Sequence, residues 1–128
     1  MPHHDDTTVR YSLELDMIER DDSGGAALLR SEFALALNAS YFMALSGEDM
    51  HVGAIERSIP QEGISRYRVE LVLDERRPAL ADAQVGELLQ REFALAQNAS
   101  HFLRIAVEDF GVRLVAREPV GQLQLRAA

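Results

Sequence analysis

The chain has no cysteine and no lysine; all 13 of its basic residues are arginine. Without cysteine there are no disulfides, no thiol nucleophile and no Cys-ligated zinc or iron–sulfur site. Without lysine there is no Schiff-base chemistry and no P-loop lysine. No apolar run approaches the roughly 20 residues that a membrane-spanning helix needs. The opening residues, MPHHDDTTVR, lack the basic-then-apolar pattern of a secretory signal, so we expect a cytoplasmic protein. The preference for arginine, with many alanines, suggests a GC-rich bacterial genome. Positive charge is scarce, and the formal net charge is −8. Nucleic acid and anionic membrane surfaces are disfavoured as partners, since both are held by Lys and Arg. A basic partner, a cationic ligand or plain solubility fit that charge.

The chain does contain a repeat of itself. Leu28 to Ser58 aligns with Leu88 to Glu118 without a gap at an offset of 60, and 15 of the 31 paired residues are identical. The block EFALA-x-NAS-x-F occurs whole in both copies. Upstream, Arg10-Tyr11-x-x-Glu14-Leu15 matches Arg66-Tyr67-x-x-Glu70-Leu71 at an offset of 56. Self-similarity of this kind predicts two copies of one supersecondary unit. Each half is about 60 residues, where a core of its own is marginal. Two halves sharing one core in a single domain, 1–128, is therefore the expected organisation, with repeats at 9–58 and 65–118 joined by 59–64.

Val9 to Met17 alternates apolar and polar residues, as does Arg66 to Leu73; both read as half-buried strands. Ala26 to about Ala39 and Asp82 to about Ala99 read as helices, with Asp82 as N-cap of the second. Tyr41 to Leu45 with Met50 to Arg57, and His101 to Val107 with Phe110 to Arg117, read as hairpins. Val120 to Arg126 reads as a final edge strand. The expectation is an α+β fold of two tandem β-α-β-β repeats. They would form a two-layer sandwich with pseudo-two-fold symmetry, one sheet carrying both helices on one face.

One constellation could carry chemistry. On a helical wheel Glu32 and Glu92 fall inside the apolar arcs, at matching positions of the two repeats. A carboxylate taken from water needs a partner or changes its protonation. Facing each other, the pair could bind a cation, bridge a metal or share a proton. Otherwise Arg10 and Arg66, equally duplicated, would neutralise them, or the helices would roll to bring them to solvent. Asn38-Ala39-Ser40 and Asn98-Ala99-Ser100 read as helix-stop chemistry. Glu48-Asp49 and Glu108-Asp109 read as exposed turns. His3, His4, His51 and His101 show no metal-ligand spacing. No nucleophile elbow or Gly-rich phosphate loop is present, so catalysis, a metal and a cofactor have no positive support.

In expected element order, the duplicated β-α-β-β chain resembles the gyrase-inhibitor-like ligand-binding domains. That resemblance implies a cleft between the repeats for lipophilic, often cationic, small molecules, with a glutamate in the pocket. Without its first strand, the order α-β-β-β-α-β-β resembles the class I type III secretion chaperones. Those are acidic homodimers that wrap an effector segment; the N-terminal strand and the missing C-terminal helix depart from them. The reading favoured here is a non-enzymatic binding or adaptor protein, homodimeric, engaging a protein or peptide partner. The alternative is a small-molecule sensor reading a cationic ligand through Glu32 and Glu92, with Arg10 and Arg66 nearby.

Overall fold

The structure is a computed structural model and describes residues 8–20 and 25–120. Its elements run β1 (Thr8–Met17), α1 (Gly25–Asn38), β2 (Ser46–Arg57), β3 (Ser65–Glu75), α2 (Asp82–Asn98) and β4 (Gly111–Pro119). The fold is α+β: an open four-stranded sheet in the order β2-β3-β1-β4, with every neighbour pair antiparallel, and two helices.

The period-2 pattern of β1 and β3 decides which face is covered. Tyr11, Leu13, Leu15 and Met17 on β1, and Tyr67, Val69, Leu71 and Leu73 on β3, are buried. Their neighbours Arg10, Glu14, Asp16, Arg66 and Arg68 point to the other face. The helices supply Leu29, Phe33 and Ala36 from α1, and Val85, Leu89, Phe93 and Ala96 from α2, to the same cluster as the inward strand residues. At about 1.5–3 kcal/mol per buried large apolar side chain, this one layer dominates the stabilisation. All five phenylalanines of the chain meet there: Phe33, Phe42, Phe93, Phe102 and Phe110, with neighbouring ring centroids 5.0 to 6.1 Å apart. Most of these pairs are edge-to-face, the arrangement ring quadrupoles favour.

The expected hairpins are corrected. Residues 39–45 and 99–105 are turns, not strands, so each half contributes one strand after its helix rather than two. The reason lies at the helix ends. Ser40 (φ 71) and Ser100 (φ 75) adopt the left-handed conformation. The Tyr41 and His101 amides then donate back to Ala36 and Ala96, and those of Ser40 and Ser100 to Leu37 and Gln97. That is a Schellman closure with serine where glycine is usual. Phe42 (φ 70) and Phe102 (φ 71) are left-handed too, which turns their rings into the core and forbids an extended strand. With the order β-α-β-β-α-β, the topology on which both family resemblances rested is not formed.

The N-cap of α2 is Ala81 rather than Asp82, with the Gln84 side chain accepting from the Ala81 amide at 2.9 Å. Asp82 sits in the first turn, where a carboxylate complements the helix dipole. The histidines at 3 and 4 and most of the strand expected at Val120 to Arg126 fall outside the described residues. Among the described residues no helix is long and apolar enough to cross a membrane.

Candidate functional site

Glu32 and Glu92 are buried in the helix layer, 3% and 8% exposed, as their wheel positions require. Each is engaged by a backbone amide of the other half. Glu32 Oε1 accepts the Phe102 amide at 2.7 Å, and Glu92 Oε1 accepts the Phe42 amide at 2.8 Å. Each glutamate therefore anchors the strained left-handed residue that follows the other helix. The two ends of the repeated EFALA-x-NAS-x-F block are partners, exchanged between copies. The second oxygen differs between the halves. Glu32 Oε2 has Arg104 Nε at 3.2 Å, an ion-pair distance without hydrogen-bond geometry; the residue equivalent to Arg104 in the first half is Ala44.

Arg10 and Arg66 are not brought to these glutamates. They stand on the outer sheet face, where Arg10 lies 3.9 Å from Glu118 and Arg66 2.8 Å from Asp16. The register lines up Glu56, Arg68, Glu14 and Arg113 as one row of alternating charge across all four strands. Arg68, followed by Arg113, holds the Glu14 carboxyl below its ordinary range, and Arg66 does the same for Asp16. Such exposed ladders contribute little each, but they keep this face wet.

Two further polar clusters link the halves. The Tyr11 hydroxyl donates to Glu75 Oε2 at 2.5 Å, and Arg117 Nε donates to the same oxygen at 2.7 Å. In the second cluster the Tyr67 hydroxyl donates to Glu19 Oε2 at 2.5 Å, and Arg57 Nε to Glu19 Oε1 at 2.7 Å. Burial first, then the neighbouring carboxylate, pushes both phenols well above the ordinary tyrosine range. These clusters were missed in the sequence. The signal was there: the offset of 56 that matches Tyr11 to Tyr67 also matches Glu19-Arg20 to Glu75-Arg76, and the offset of 60 matches Arg57 to Arg117. Every group in them is already bonded, which makes them latches rather than reactive sites. Among the described residues no three His, Asp or Glu side chains group as metal ligands.

One groove lies beside a sheet edge. It has a volume of about 320 Å³ and runs between α2 and β4, with Ala83, Gly86 and Glu87 on one wall and Leu114 and Val115 on the other. Gly86 makes the space. A Cβ there would meet Leu114 Cβ at 3.9 Å, and the matching residue of α1 is Ala26. The corresponding edge at β2 is closed. Arg30 reaches over it and donates to the carbonyls of Val52 at 2.9 Å and Gly53 at 2.7 Å. Its shorter counterpart, Gln90, reaches only Val112, at 3.3 Å. Strand β2 is also interrupted by two register shifts against β3, whereas β4 has one against β1, at Val115.

No protein-family model, curated protein or solved structure matches this chain.

Proposed function

We propose that the protein is a non-enzymatic binding or adaptor protein that takes an extended segment of a protein partner along the β4 edge. The observation that carries this reading is the groove between α2 and β4, open beside a sheet edge whose counterpart at β2 is covered by Arg30. Strand addition supplies affinity through backbone hydrogen bonds and specificity through side-chain pockets. Ala83 and Gly86 leave room for small apolar side chains. Asp82 is already held by Arg117 and Arg113 also lines the groove, so Glu87, in a chain of net charge −8, is the carboxylate left to favour a segment carrying arginine or lysine.

The small-molecule alternative has less support. The space between the halves is filled by five phenylalanine rings, and Glu32 and Glu92 each already hold a backbone amide. We also read the chain as two β-α-β units of one ancestry with approximate two-fold symmetry. The repeated sequence block, the matching turns and the exchanged glutamate bonds support that reading.

The test is a displayed library of random peptides as long as β4, panned against the wild type and Gly86→Leu, which fills the groove. Peptides enriched on the wild type should pair a basic residue with small apolar ones and bind Gly86→Leu at least about tenfold more weakly, roughly 1.4 kcal/mol. Enrichment no better than background, or peptides indifferent to Gly86→Leu, would sink the proposal.

A further inference from the structure

Strand β4 is an edge strand, bonded to β1 on one side only. A strand laid along its open side meets two unlike surroundings. One face lies against the groove beside α2, with Ala83, Gly86 and Leu114. The other extends the wet outer face, beyond the row of Arg113, Glu14, Arg68 and Glu56. A segment that alternates apolar and polar residues satisfies both.

The chain carries such a segment directly after β4. The last described residue, Val120, is buried, and its amide donates to the Thr8 carbonyl at 3.0 Å. Residues 121–128, outside the described residues, therefore set out from the end of β4. They read Gly-Gln-Leu-Gln-Leu-Arg-Ala-Ala. Gly121 supplies turn chemistry. Leu123 and Leu125 then alternate with Gln122, Gln124 and Arg126, and no acidic residue lies in 119–128 to be repelled by Glu87 or Glu118. Eight residues at about 3.3 Å each are enough, after a turn, to run beside most of the nine residues of β4. A tether this short also holds the segment at an effective concentration in the millimolar range, which favours it over a free peptide of equal fit. We infer that residues 121–128 turn back and pair antiparallel with β4, with Leu123 and Leu125 toward α2, and cover the groove until a partner displaces them. This regulation rests on the reading of the β4 edge as a partner site, for which the chain's own tail competes.

Amide hydrogen exchange of the full chain, wild type against Leu123→Asp with Leu125→Asp, tests this. Amides of residues 112–117 should exchange at least about tenfold faster in the variant, with those of β3 unchanged. Without the competing strand, the variant should also bind the panned peptides at least about tenfold more tightly than the wild type. Exchange of 122–126 at free-peptide rates in the wild type overturns the inference, and so does unchanged exchange at 112–117 in the folded variant. Should the double variant lose its fold, Gly86→Leu takes its place: exchange at 122–126 must rise, and unchanged protection overturns the inference. Peptides that bind wild type and tail variant alike, yet not Gly86→Leu, overturn the tail and leave the partner site standing. Faster exchange at 112–117 in the variant, with no peptide bound by either protein, upholds the tail strand and overturns both its displacement and the partner site.

Discussion

Glu32 and Glu92 show how one residue type at one position can be read correctly and still be misassigned a partner. Their place on the apolar arcs was legible, because helical periodicity alone fixes it. Their partners were not legible, because these are backbone amides 70 and 50 residues away, and a main-chain donor leaves no trace in composition. Pairing them with Arg10 and Arg66 also ran against the strand alternation, which already turned both arginines away from Tyr11 and Tyr67. The geometry makes the glutamates structural clamps. Glu32→Ala and Glu92→Ala should each lower the unfolding free energy by about 1–3 kcal/mol, since each leaves a buried amide without an acceptor. Glu92→Gln keeps an acceptor oxygen and should cost less than Glu92→Ala. Urea unfolding of the singles and the double reads both points. The double should depart from additivity, because both clamps hold turns of the same ring cluster; strict additivity would mean that the two turns move independently.

The elements divide by how local their cause is. Strands β1 and β3 and both helices were readable to within about two residues, because each is specified by its own hydrophobic period. The two expected hairpins failed because Tyr41 to Leu45 and His101 to Val107 are β-prone segments held as turns by tertiary contacts. The amides of Phe42 and Phe102 are gripped from the opposite helix, and apolar content carries no information about φ. Serine at the left-handed helix-end positions is a local cost that the fold tolerates. An L-residue in that conformation is disfavoured by roughly 1–2 kcal/mol, partly offset by the extra freedom glycine has when unfolded. Ser40→Gly and Ser100→Gly should therefore each stabilise the protein by about 0.5–1 kcal/mol, visible as a higher urea midpoint with an unchanged slope. A loss of stability in either variant would mean that the serine side chain supplies something the backbone account omits.

At the scale of the whole molecule, the two Tyr–Glu–Arg latches join sequence-distant strands and loops at opposite ends of the sheet, and the absence of lysine makes them measurable. With no lysine or cysteine in the chain, tyrosine is the only side-chain type with an ordinary pKa near 10. Tyr11 and Tyr67 have folded-state values raised above it, by burial first and then by Glu75 and Glu19. The sign follows directly. The folded state keeps these protons when the unfolded chain has begun to lose them, so their contribution is complete below pH about 10 and falls as pH rises further. Two such groups give a slope of about −2.7 kcal/mol per pH unit once the unfolded phenols are ionised. Tyr11→Phe with Tyr67→Phe should be less stable near neutral pH, having lost two hydrogen bonds, yet its alkaline decline should be shallower by that amount. Urea unfolding from neutral pH to pH 11, with phenolate absorbance followed in parallel, makes the comparison. Parallel declines in wild type and double variant would show that the two phenols ionise in the folded protein, and the latches would then be open at the sheet ends rather than closed over buried hydroxyls.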